Sequence, residues 1–157
     1  MRHIITALVE NHFGVLARVS GLFSARGFNI DSLAVGETHD PSISRMTIVA
    51  AGDDRIIEQV IKQLNKLIDV IKVIDITEES HMERELMMLK VSHSKTNRAE
   101  IVQLVEIFKA RIVDFGSKAM TIEIVGNAEK IIAFMEIMRP FGIKETARTG
   151  RIALTRG

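Results

Sequence analysis

The chain writes one order of elements twice, and that repetition constrains the fold more than any other feature of its 157 residues. Residues 4–9 form an apolar run of strand length, ended by the polar stretch Glu10-Asn11-His12-Phe13-Gly14. Val15, Leu16, Val19, Leu22 and Phe23 then fall on one face of a helix, with Arg18, Ser20 and Ser24 on the other. Gly27 follows the last apolar turn and reads as its stop. Residues 29–36 and 43–50 predict two strands, joined as an antiparallel hairpin by the turn residues Asp40-Pro41. Asp53 is placed to cap a second helix, whose stripe is Ile56, Ile57, Val60, Ile61 and Leu64. Residues 70–76 predict the closing strand. The order is strand, helix, strand, strand, helix, strand.

After the polar segment 77–81 the same order returns. Residues 85–91 predict a strand. A helix follows at residues 97–108, where Asn97 and Glu100 have capping-box spacing. Residues 111–114 and 119–125 form a hairpin around Phe115-Gly116-Ser117. Asn127 caps a helix that Pro140 ends. Residues 143–147 predict the last strand, and residues 152–154 either extend it or pair separately. The chain therefore predicts an α+β fold of two βαββαβ, ferredoxin-like units: residues 1–76, a linker at 77–81, and residues 82–157. Units this small bury only about 60% of their unfolded surface. Each has helices on one sheet face alone, and the strands at residues 4–9 and 86–91 are apolar on both faces. A second copy is the simplest cover, which predicts a homodimer.

Composition narrows the function. Lys and Arg number 21 and Asp and Glu 20, a net charge of +1, which argues against a nucleic-acid-binding surface. Trp and Tyr are absent, so stacking platforms for bases are scarce. The absence of cysteine excludes disulfides, iron–sulfur clusters and thiolate metal sites, and fits a cytoplasmic setting. No window of about 18 apolar residues predicts a membrane span. The five histidines (3, 12, 39, 81 and 93) lack metal-ligand spacing, and exposed or capping roles are expected for all of them. No nucleophile elbow or phosphate loop is present, so no catalytic residue is assigned.

One segment carries binding chemistry. Asn11 to Leu16 joins a strand to a helix, so its backbone offers the unpaired N–H groups of a helix N-terminus, which suit a carboxylate. Gly14 allows close approach, and the amide oxygen of Asn11 can accept from an ammonium group. These are the needs of a free α-amino acid. Asn-x-x-Gly is equally an ordinary way to begin a helix, and spacing alone leaves both readings open.

The sequence also resembles a known family, the small regulatory subunits of acetohydroxyacid (acetolactate) synthase. The resemblance runs through Glu10-Asn11-His12-Phe13-Gly14-Val15-Leu16-Ala17-Arg18-Val19, through residues 21–33 and through Ser44-Arg45-Met46-Thr47-Ile48. It continues in residues 63–70, in His81-Met82-Glu83-Arg84-Glu85-Leu86 and in residues 147–154. The first of these alone resembles only an ACT domain, an amino-acid-sensing module; the combination is what points to the small subunit. The resemblance implies an N-terminal ACT domain, an ACT-like C-terminal domain and regulation without catalysis. It implies ACT-paired homodimers that activate a large catalytic subunit and make it sensitive to valine or another branched-chain amino acid. Thiamine diphosphate, magnesium and FAD are expected on that partner, and no cofactor on this chain. Carried over, Asn11, Gly14, Val15 and Leu16 would hold the effector from one subunit, and Asn29 and Ile30 from the facing one. Two alternatives are a free-standing ACT sensor and a small acyl-phosphate hydrolase of ferredoxin-like fold, but no Arg-bearing phosphate loop precedes the first helix.

Overall fold

The computed structural model describes residues 1–157. It confirms the α+β class, with two antiparallel sheets and four helices. The chain forms two compact units, one of Met1–Met82 with Arg151–Gly157 and one of Glu83–Gly150.

The first unit runs β1 (Arg2–Glu10), α1 (Val15–Ala25), β2 (Asn29–Glu37), β3 (Ile43–Ala51), α2 (Asp54–Leu64) and β4 (Val70–Asp75), with sheet order β2-β3-β1-β4. Alternation along β1 sends Ile5, Ala7 and Val9 to the helix side. There they join Met46, Ile48, Val19, Phe23, Ile57, Val60 and Leu64 in one core. Helix α1 ends as the sequence predicts. Gly27 takes φ 76°, and the N–H groups of Phe28 and Gly27 donate to the carbonyls of Phe23 and Ser24, at 3.0 and 3.2 Å. The ring of Phe28 then packs edge-on against that of Phe23. Asp53 caps α2 by accepting from the N–H of Arg55 at 2.8 Å.

The second unit runs β5 (His81–Ser92), α3 (Arg98–Ile107), β6 (Arg111–Phe115), β7 (Ala119–Gly126), α4 (Ala128–Met138), a single 3-10 turn (Arg139–Phe141) and β8 (Ile143–Arg148); its strands lie in the order β6-β7-β5-β8. Its core gathers Met87, Leu89, Val91, Ile101, Met120, Ile122, Ile124, Ile131 and Phe134. Asn127 caps α4 through Lys130 N–H at 3.0 Å, as expected. Asn97 does not cap α3. Its amide oxygen turns back to accept from the N–H of Ser94 at 2.8 Å, and α3 starts without a capping side chain.

Two features depart from the reading of the sequence. Residues 151–157, read as part of the unit 82–157, group with the first compact unit. Gly150, at φ 82°, turns the chain into β9 (Ile152–Thr155), which pairs with β5. Arg151 N–H donates to Ser32 Oγ at 3.0 Å, and Ala153 packs with Ile4, Val49 and Ile76. The sheet face that α1 and α2 leave bare is thus covered in part by the chain's own tail. Nor are all five histidines exposed. His3 and His93 are buried, with 5% and 6% of their surface accessible. No helix is long and apolar enough to cross a membrane.

Candidate functional site

The candidate loop is held at its strand end by two backbone bonds. Glu10 N–H donates to the carbonyl of Asp69, and Asn11 N–H to that of Ser42, both at 2.8 Å. The Asn11 amide nitrogen donates to the Pro41 carbonyl at 3.1 Å and to Glu37 Oε1 at 3.4 Å. That fixes the side chain and leaves its oxygen open, as an ammonium-binding role requires.

Gly14 sits at φ 86° and ψ −6°, a left-handed conformation that an L side chain adopts only with strain. A Cβ there would meet open space, so the glycine is required by the backbone and not by crowding within the chain. From this turn α1 begins bare. No side chain caps it, and its first turn holds no acid, whereas α2, α3 and α4 carry Asp54, Glu100 and Glu129. Val15 N–H only reaches the His12 carbonyl at 3.5 Å, and the chain's first close bond in this helix is from Arg18 N–H to the Gly14 carbonyl at 3.2 Å. The N–H groups of Leu16 and Ala17 therefore point outward with the positive end of the helix dipole. Val15 is buried and anchors the turn, while Leu16 is 43% exposed.

Asn29 and Ile30 are elsewhere. Asn29 lies opposite Ala51, which lies opposite Arg2, at the start of β1; the Asn11 loop follows the other end of β1. The eight steps of β1 span about 26 Å. A single copy therefore cannot bring Asn29 and the α1 N-terminus to one amino acid. Asn29 itself donates to Asp31 Oδ1 at 2.8 Å, and Asp31 pairs with Arg2 at 3.1 Å.

Beside the loop, Glu10, His12 and Asp69 have ligand atoms within 4.8 Å of one another. His12 Nε2 meets Glu10 Oε2 at 3.0 Å, and Asp69 is already paired with Arg18 at 2.8 Å. A second polar cluster escaped the sequence altogether. Buried His3 bridges two acids, Nδ1 to Asp75 at 2.7 Å and Nε2 to Asp54 at 2.8 Å. Burial pulls its pKa down, but the hydrogen bonds to Asp54 and Asp75 and their charges outweigh it, and the net shift is upward. The one signal in the sequence was parity: His3 shares the inward face of Ile5, Ala7 and Val9.

Residues 5–72 match the family described as the AHAS small subunit-like ACT domain, and residues 84–157 match the small subunit of acetolactate synthase. A probable acetolactate synthase small subunit of Methanothermobacter thermautotrophicus is 57% identical over 156 residues, 99% of this chain and 93% of that one. One from Archaeoglobus fulgidus is 57% identical over 157 residues, 100% of this chain and 98% of that one. The crystal structure of the acetolactate synthase small subunit from Thermotoga maritima superposes with a TM-score of 0.89 at 41% identity, covering 100% of this chain and 98% of that chain. The chain belongs to the acetolactate synthase small-subunit family. Small subunits with ACT domains are regulatory, and the two family matches divide the chain accordingly. The uncapped start of α1 and the Asn29–Ile30 strand fall in the ACT match, and the second unit and its tail fall in the other.

Proposed function

We propose that this chain activates the catalytic subunit of acetolactate synthase and makes it sensitive to a branched-chain amino acid, with valine as the first candidate. The observation that carries the reading is the start of α1: free N–H groups, a left-handed glycine and no competing acid, in an ACT domain of this family. The amino acid's carboxylate sits on the free N–H of Leu16, with the N–H of Val15, held only at 3.5 Å by His12, beside it; its ammonium group faces the Asn11 oxygen, and Gly14 gives it room. Asn29 and Ile30 come from a second copy, because one copy places them about 26 Å away along the sheet. The working unit is therefore a homodimer paired through its ACT domains in the cytoplasm, without a metal or cofactor of its own. Thiamine diphosphate, magnesium and FAD belong to the catalytic partner.

A ligand shared by two copies biases how they pair. A modest coupling suffices, since allosteric terms are about 1–3 kcal/mol, or roughly 5–150-fold. The second unit starts α3 with Ser94-Lys95-Thr96-Asn97, without a glycine, and serves docking or stability.

The test is calorimetric titration with valine, since the chain has neither Trp nor Tyr to report by fluorescence. Gly14→Asp, which adds strain and a like charge beside the carboxylate, should abolish the binding heat. Asn29→His should weaken it, and Asn11→Ala should do so more mildly, by the loss of one charge-assisted bond worth about 1.5–3 kcal/mol. Unchanged valine affinity in folded Gly14→Asp protein would place the effector elsewhere.

A further inference from the structure

A cavity of about 270 Å³ lies in the first unit, lined by the sheet strands and the returning tail. Its walls combine Arg45, Lys72 and Thr6 with the apolar side chains of Leu8, Ile74 and Leu154. Strand register explains the grouping. Leu8 on β1 lies opposite Arg45 on β3 and opposite Lys72 on β4, so the two cations flank one position of the central strand. Two strand spacings put their Cα atoms about 10 Å apart, a gap that two long side chains can close on one anion.

Neither cation is held in an ion pair of the first unit. No carboxylate lines the cavity, and four acids of this unit are engaged elsewhere: Asp31 with Arg2, Asp69 with Arg18, Asp54 and Asp75 with His3. Thr6 adds a hydroxyl to the wall. It is 6% exposed and lines the cavity between the two cations' strands. The volume falls just below the usual range of about 300–1,000 Å³ for ligand pockets, which limits the occupant to a small molecule.

We propose that this cavity binds a short-chain organic carboxylate. The guanidinium of Arg45 meets the carboxylate with its planar fork, Lys72 adds a point charge, and Thr6 donates its hydroxyl. The alkyl body lies on Leu8, Ile74 and Leu154, a wall that a bare inorganic anion does not use. The site is separate from the α1 loop, since Thr6 and Leu8 point to the face opposite Ile5, Ala7 and Val9.

The full chain is titrated calorimetrically with butanoate, butanamide and inorganic phosphate. Saturable binding of butanoate at millimolar concentration is expected, with no heat from butanamide and weaker binding of phosphate. Lys72→Gln, at an exposed position, should weaken butanoate binding about tenfold or more, as should Arg45→Gln, and Gly14→Asp should leave it unchanged. Absence of butanoate binding, equal binding of butanamide, tighter binding of phosphate, or full affinity in Lys72→Gln would each overturn the assignment. Loss in Gly14→Asp with retention in Lys72→Gln would overturn it too, by moving the carboxylate to the α1 loop while leaving the amino-acid reading intact.

Discussion

A Cβ placed on Gly52 would fall inside the ring of Phe28, which is buried and packed on Phe23 at the close of α1. Gly52→Ala should therefore destabilise the protein by about 1–3 kcal/mol, read as a lower urea midpoint, although the change adds one methyl group. The sequence marks Gly52 only as a residue before a helix, because the ring that crowds it is 24 positions away. His3 makes the same point with charge. Its partners Asp54 and Asp75 lie 51 and 72 residues along the chain, so no local pattern could announce the pair. Its folded pKa is raised, so protonated His3 is favoured by the native state. The stabilisation is fully present below the unfolded value of about 6.5 and is lost as pH rises through the higher folded value. Melting temperatures of the wild type and His3→Gln should differ most below about pH 6 and converge at alkaline pH. A constant gap across that range would show that His3 acts by packing alone.

Elements were legible where the deciding residues are neighbours in sequence. The strand and helix order, the Asp53 and Asn127 caps and the Gly27 stop all depend on residues within one or two turns, and each appears in the structure. Asn97 has the right spacing but a nearer donor in Ser94, and the local bond wins. Strand β9 was ambiguous for a different reason. Four residues, of which only Ala153 is buried, are too few to choose a sheet, and the apolar patch of Ile4, Val49 and Ile76 decides where Ala153 goes. Ala153→Lys, which would bury an ammonium group beside the cations Arg45 and Lys72 of the same cavity, should cost more than about 2 kcal/mol in urea unfolding. Ile152→Asp, on the 59% exposed side of the same strand, should stay within about 0.5 kcal/mol of wild type. Equal effects at the two positions would mean that the tail is not held on the sheet.

At the scale of the whole molecule, two βαββαβ units and kinship along the whole chain fix the family, and the proposed effector site is one that a single chain cannot complete. The α1 half of it was visible in the sequence as a strand-to-helix junction with glycine and asparagine in place. The Asn29 half rested on resemblance, because an asparagine that opens a strand is by itself an ordinary turn residue. The two halves lie at opposite ends of the same sheet, so the proposal requires a second copy. The most direct test is to reconstitute the chain with an acetolactate synthase catalytic subunit and measure acetolactate formation with and without valine, for wild type and Gly14→Asp. Both proteins should raise the catalytic rate, and valine should lower it again only with the wild type. A catalytic subunit indifferent to the chain, or valine inhibition undiminished by Gly14→Asp, would contradict the account.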